Sequence, residues 1–206
     1  VYALAPDNAA LLDALDAWRP VREARAQAYR RMQVWDAAGG DPIRFDADAL
    51  ARGELGWIVE HGLLVDVLWR ALQRTPVRLR CPARVEAMEQ DEDGIRLWLD
   101  DGTRVAARIA IAADGAASRL RALAGIAVDG RDYAQQGVVA YVRTARPHED
   151  TAWQRFLPSG PLALLPWVDG RCSIVWTLPN DEAARVLALG DHDFGRELTA
   201  AFDARL

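Results

Sequence analysis

Apolar and polar positions alternate along this chain in blocks of two periods. From Pro6 and Asp7 to about Trp18, Leu11, Leu15 and Trp18 recur on one helical face. From about Ile58 to Gln73, Leu64, Leu68 and Leu72 recur every four residues, and Val67 and Ala71 widen the stripe. Between them, 31–36 reads as a strand, the Gly39-Gly40 turn reverses it, and 43–45 returns as a second strand. Val77-Leu79-Cys81 and Ile95-Leu97-Leu99 alternate with period two, with Asp93-Gly94 and Asp101-Gly102 as connections, so an antiparallel meander is expected. It leads into Ile109-Ala110-Ile111-Ala112-Ala113, an unbroken apolar run read as a buried strand.

The last third is again rich in strands. Val138–Thr144, Trp153–Leu157, Leu162–Trp167 and Arg171–Thr177 are separated by Pro158-Ser159-Gly160-Pro161 and Asp169-Gly170. Helical patterns at 181–189 and about 193–206 follow. Strands near 30–46 and the sheet near 133–178 are placed to pair across the intervening segment, which predicts two interleaved regions without a clean linker. The fold class is α/β, mixed with antiparallel sheet.

With 206 residues, 51% hydrophobic and 27% charged, the chain has the means to bury a substantial core. A net charge of −5 disfavours a general nucleic-acid binder. All 25 basic residues are Arg, a compositional bias into which no function is read. Cys81 and Cys172 form no CxxC pair; both are read as buried strand thiols in a reducing, cytoplasmic setting. His61, His148 and His192 lie far apart, so no metal site is expected, and His148 is read as a surface-loop residue. Ser118 and Ser173 lack a Gly-x-Ser-x-Gly elbow. No side chain stands out as a catalytic base or nucleophile. The chain opens at Val1 without Met and stops at Leu206 inside a helical pattern, and is expected to be an internal piece of a longer protein.

Candidate chemistry concentrates at Asp114-Gly115. An acidic turn follows the apolar run, and Ser118 is placed to cap a helix carrying Arg119 and Arg121 in its first turn. Such a strand–turn–helix suits a cofactor's ribose and phosphates; it is equally the pattern of an ordinary structural turn. Glu60, at a helix start, has the same two readings.

Three blocks carry a resemblance. They are Met32-Gln33-Val34-Trp35-Asp36 with Ile43-Arg44-Phe45-Asp46 and Leu55-Gly56-Trp57-Ile58-Val59-Glu60; then 113–121; then Gln154–Pro166 with 169–176. Together they resemble the ubiquinone-biosynthesis hydroxylases, FAD-dependent monooxygenases shaped like p-hydroxybenzoate hydroxylase. The resemblance implies a partial FAD-binding domain (1–20 and 52–130) interleaved with a substrate-binding sheet and helices (21–51 and 131–206). It implies FAD as cofactor, NADPH or NADH as co-substrate, and a polyprenylated aromatic quinone precursor as substrate. It assigns Asp114, Gly115 and Glu60 to the cofactor, and Phe156, Leu164, Pro166 and Trp176 to the substrate side. It also implies a peripheral association of the parent with the inner membrane or a biosynthetic complex.

Departures from the family pattern are His61 in place of Asn and Ala112 in place of Gly. The Gly-rich pyrophosphate turn and the second Gly-Asp motif are not in this stretch, which alone is expected to be inactive. A hydroxylase of a soluble phenol, and a non-catalytic module binding a quinone or a protein partner, are the alternatives.

Overall fold

The computed structural model describes all 206 residues. In chain order the elements are β1 (Tyr2–Leu4), α1 (Pro6–Ala14), α2 (Trp18–Arg25), β2 (Ala26–Tyr29), β3 (Arg31–Asp36), β4 (Ile43–Asp46), β5 (Gly56–Val59) and α3 (His61–Gln73). Then come β6 (Val85–Asp91), β7 (Gly94–Leu99), β8 (Arg104–Ala107) and α4 (Arg119–Leu123). The chain closes with β9 (Gln135–Val142), β10 (Thr151–Leu157), β11 (Gly160–Pro166), β12 (Cys172–Pro179), α5 (Asn180–Leu187) and α6 (Asp191–Ala201). No helix is long and apolar enough to cross a membrane.

Two compact units result, Val1–Thr75 with Tyr133–Leu206, and Pro76–Asp132. This division by compactness keeps 1–20 and 52–75 with the large sheet, whereas the division implied by the resemblance groups them by cofactor.

The first unit is built on a six-stranded sheet of order β4-β3-β10-β11-β12-β9. All its neighbours are antiparallel except β3 and β10, which pair in parallel with Arg31 opposite Thr151. The expected pairing of 30–46 with the later strands is therefore present. Register sorts the side chains: Trp35, Arg155, Leu162 and Trp176 share one face, as do Trp153, Leu164, Ile174 and Ala140. On this face Ala183 and Val186 of α5 and Leu198 of α6 pack, with Phe202 just beyond, to form the main core. A second sheet, β1-β5-β2, carries α1, α2 and α3 over a smaller core of Leu12, Trp18, Val21, Val59 and Val67.

Two local expectations fail here. Trp18 opens a new helix instead of closing the first, because Asp16 takes a left-handed backbone (φ 54) that interrupts it. Ile58 and Val59 belong to a strand, fully buried between β1 and β2, and the helix starts at His61. Gly56 explains the strand's fit: a Cβ there would stand 2.4 Å from the Leu4 carbonyl oxygen.

The second unit holds the three-stranded meander β6-β7-β8 and the short α4. Its first strand is 85–91; residues 77–81 form no strand, and Cys81 is exposed. The run 109–113 is not a strand either: Ile109 and Ile111 are 79% and 83% exposed. A strand buried on both faces needs ladder partners, and here the run's amides find only a local bond, Ala113 N to Ile111 O.

Candidate functional site

In the second unit, the turn after residue 113 is organised by its own side chains. Gly115 has φ +86, and a Cβ there would meet nothing within 4 Å, so the backbone is open to close approach. Ser118 caps α4 as expected, accepting a hydrogen bond from Arg121 N at 3.0 Å. Asp114 accepts from the Ser118 hydroxyl and, at 3.1 Å, from Leu120 N. The Ser118 hydrogen bond, and after it the Leu120 amide, hold the Asp114 carboxyl below the usual carboxylate range. Arg119 is a strut. It donates to the Val85 carbonyl and pairs with Glu86 at 2.9 Å, tying α4 to β6.

A carboxylate has about four acceptor positions. Asp114 uses two of them internally, which leaves acceptors for the hydroxyls of a ribose. Beside it lies an apolar concavity of about 400 Å³, lined by Met88, Ile95, Leu120 and Ile126 together with Gly115 and Ser118. The donor and acceptor set thus fits one part of a dinucleotide.

In the first unit, Glu60 stands at the N-terminal end of α3 with extended backbone and makes no capping bond. Its carboxylate accepts from Arg25 Nε at 2.7 Å. His61 Nδ1 is 2.6 Å from the Tyr2 hydroxyl. Arg25, Glu60, His61 and Tyr141 line an open concavity of about 430 Å³. The amides opening a helix are available to acceptors, so this set also fits a polar edge of a cofactor.

The predicted substrate residues do not stay together. Phe156 lies on the sheet face opposite the core and is 44% exposed. Leu164 and Trp176 lie on the other face, at 2% and 5% exposure within the main core, and Pro166 is fully buried on that face. These three are packing residues. Alternation gives two faces to every strand, and only the placement of α5 and α6 tells which is the inner one. The exposed face instead presents Val139 and Tyr141 along with Phe156. Tyr141 went unnoticed in the sequence because it sits in an apolar strand with no motif around it.

Two further corrections concern residues read as ordinary. His148 is buried: Nδ1 accepts from Asp150 N at 3.1 Å, leaving Nε2 to donate to the Trp167 carbonyl at 3.1 Å. Its ring pins a turn in which Glu149 and Asp150 both take left-handed backbone. Cys81 is exposed, while Cys172 is buried as expected and its thiol is pushed up to about 11 by desolvation. No cluster of His, Cys, Asp and Glu is arranged to hold a metal ion.

Comparison with known proteins adds a second line. The family model described as "FAD binding domain" matches residues 8–202. Over 98% of its length the chain is 34% identical to the human mitochondrial ubiquinone biosynthesis monooxygenase COQ6, covering 45% of that protein. It is 34% identical to the 3-demethoxyubiquinol 3-hydroxylase of Escherichia coli over all of this chain and 53% of that one. It is 37% identical to the ubiquinone hydroxylase UbiL of Rhodospirillum rubrum over 95% of this chain and 46% of that one. The chain thus spans about half the length of the curated relatives it matches. In three dimensions it is similar to PqsL of Pseudomonas aeruginosa, a probable FAD-dependent monooxygenase (TM-score 0.79, 23% identity, 96% of this chain and 55% of that one). The likeness shows the p-hydroxybenzoate hydroxylase-like fold that the sequence blocks implied.

Proposed function

Because the chain belongs to the FAD-binding-domain family, we propose that it is part of an FAD-dependent monooxygenase of ubiquinone biosynthesis. Its substrate in this reading is a polyprenylated aromatic quinone precursor, hydroxylated on the ring with reduced nicotinamide, NADH or NADPH, and O₂. The observation that carries the proposal is the similarity of nearly the whole chain, at 34% and 37% identity, to proteins named as ubiquinone-pathway hydroxylases.

When bound, FAD supplies the oxygen-activating chemistry. The protein's own groups have simpler tasks. Asp114 offers carboxylate acceptors to ribose hydroxyls, and Gly115 admits the cofactor backbone without a Cβ in the way. Glu60, steadied by Arg25, provides a polar contact at the flavin side. Phe156 on β10 and Val139 on β9 are separate apolar, exposed positions on the sheet face away from the core, a surface suited to keeping water from a bound ring. No nucleophile or metal cluster is needed for this chemistry. A prenylated substrate resides in lipid, which favours a peripheral association of the parent with the inner membrane, within a biosynthetic complex or alone.

The test is made on the full-length protein that carries this chain. After incubation with FAD and gel filtration, its visible absorbance is expected to show retained flavin. Addition of reduced nicotinamide and a prenylated phenol is expected to yield a product heavier by one oxygen atom. A protein that retains no flavin, or that oxidises nicotinamide without forming any such product, overturns the proposal.

A further inference from the structure

His148 lines neither candidate concavity, yet it is buried and uses both ring nitrogens. Nδ1 accepts from Asp150 N, which requires the proton to sit on Nε2, and Nε2 donates to the Trp167 carbonyl. That carbonyl also accepts the turn bond from Gly170 N at 3.1 Å, so the histidine is an added tie and not the sole partner of an orphan. Glu149 and Asp150, in successive left-handed backbone (φ 52 and 51), are held there by the bonds around the ring. A buried ring bonded at both ends, to segments on either side of β10, joins those segments.

Each arm runs to a different wall of the Glu60 concavity. On the large-sheet side, the Trp167 ring packs against Tyr141 with centroids 5.6 Å apart, and Tyr141 lines the concavity. On the small-sheet side, the Asp150 carbonyl accepts from Arg30 N and Arg31 N at 2.8 and 3.3 Å, where β2 passes into β3. The Asp150 carboxylate accepts from Gln27 Nε2 at 2.8 Å. Gln27 lies in β2 opposite Ile58 of β5. Arg25 and Glu60 flank these two strands, and their ion pair lines the same concavity.

We propose that His148 is a positioning residue for the cofactor: by tying Trp167 to Asp150, it clasps the two walls of the Glu60 concavity before the cofactor binds. This rests on the functional reading above and deepens it. A hydrogen bond that fixes a wall in advance spares the ligand from having to order it, so its loss is felt in affinity as well as in stability.

The experiment titrates FAD into the full-length protein freed of flavin, at a temperature well below each variant's denaturation midpoint, and follows flavin absorbance and fluorescence. His148→Asn keeps an acceptor for Asp150 N, as in an Asx turn, but cannot reach the Trp167 carbonyl. It is expected to weaken FAD binding by about 3- to 10-fold, the range of one net hydrogen bond. His148→Gln presents an amide N–H at about the reach of Nε2 and is expected to restore most of that loss. Gln27→Met cuts the other arm while His148 stays, with a similar weakening expected, and it carries the test if His148→Asn does not fold. A merely structural histidine predicts a lowered midpoint with wild-type FAD affinity in His148→Asn and Gln27→Met, and that result overturns the inference. So does His148→Gln binding FAD as weakly as His148→Asn. Either result leaves the functional reading standing, since the wild type binds FAD. A wild type that binds none removes both.

Discussion

Each side chain of the large sheet has a role set by which face it points to, and mutation should separate the two. Trp176, 5% exposed in the core, is expected to cost about 3–5 kcal/mol when truncated to Ala, read by chemical denaturation. Phe156→Ala, at 44% exposure, should cost under about 1 kcal/mol and act on ligand binding instead. The two thiols differ in the same way. With its thiol at about 11, Cys172 should resist alkylation at neutral pH in the folded protein, while exposed Cys81 is modified. Mass spectrometry after brief iodoacetamide treatment should find one adduct, on Cys81, and two after unfolding.

Asp114 adds a pH signature at the same scale. Its carboxyl is depressed in the folded protein, so its contribution is present above the unfolded value and disappears as pH falls through the folded one. The amides of Leu120 and Arg121 should therefore lose hydrogen-exchange protection in acid, below the ordinary carboxylate range. Asp114→Asn should show reduced protection at neutral pH and little further change on acidification.

Elements were legible where a local pattern and its partners agree. β3, β4 and the four strands of the last third combine alternation with turn residues, and their neighbours lie within the chain. The run 109–113 shows the opposite case: its composition is that of a buried strand, but composition cannot supply a ladder partner. β5 was hidden because Ile58 and Val59 continue the helical spacing of α3; the deciding feature is Gly56, packed on the Leu4 carbonyl. Gly56→Ala forces that contact apart and is expected to destabilise by about 1–3 kcal/mol, measured as a lowered denaturation midpoint. For the site, Asp114, Gly115 and Glu60 were visible as turn and helix-start residues. Tyr141 was not, because its character comes from Trp167, Arg171 and Glu60, all distant in sequence.

At the scale of the whole molecule, the parallel pairing of β3 with β10 fixes when the sheet can form. β3 and β4 are synthesised early, yet the strand that completes β3 arrives about 120 residues later. At roughly 5–20 residues per second of synthesis, the β3–β4 hairpin waits about 6–24 s with one long edge unsatisfied. Trp35, which is buried in the main core only once the later strands and helices arrive, is left uncovered on that hairpin during the wait. Synthesis is therefore a stage at which this hairpin is open to mispairing. Nascent chains stalled before residue 151 should be the ones that holdase chaperones capture and that aggregate when chaperones are scarce.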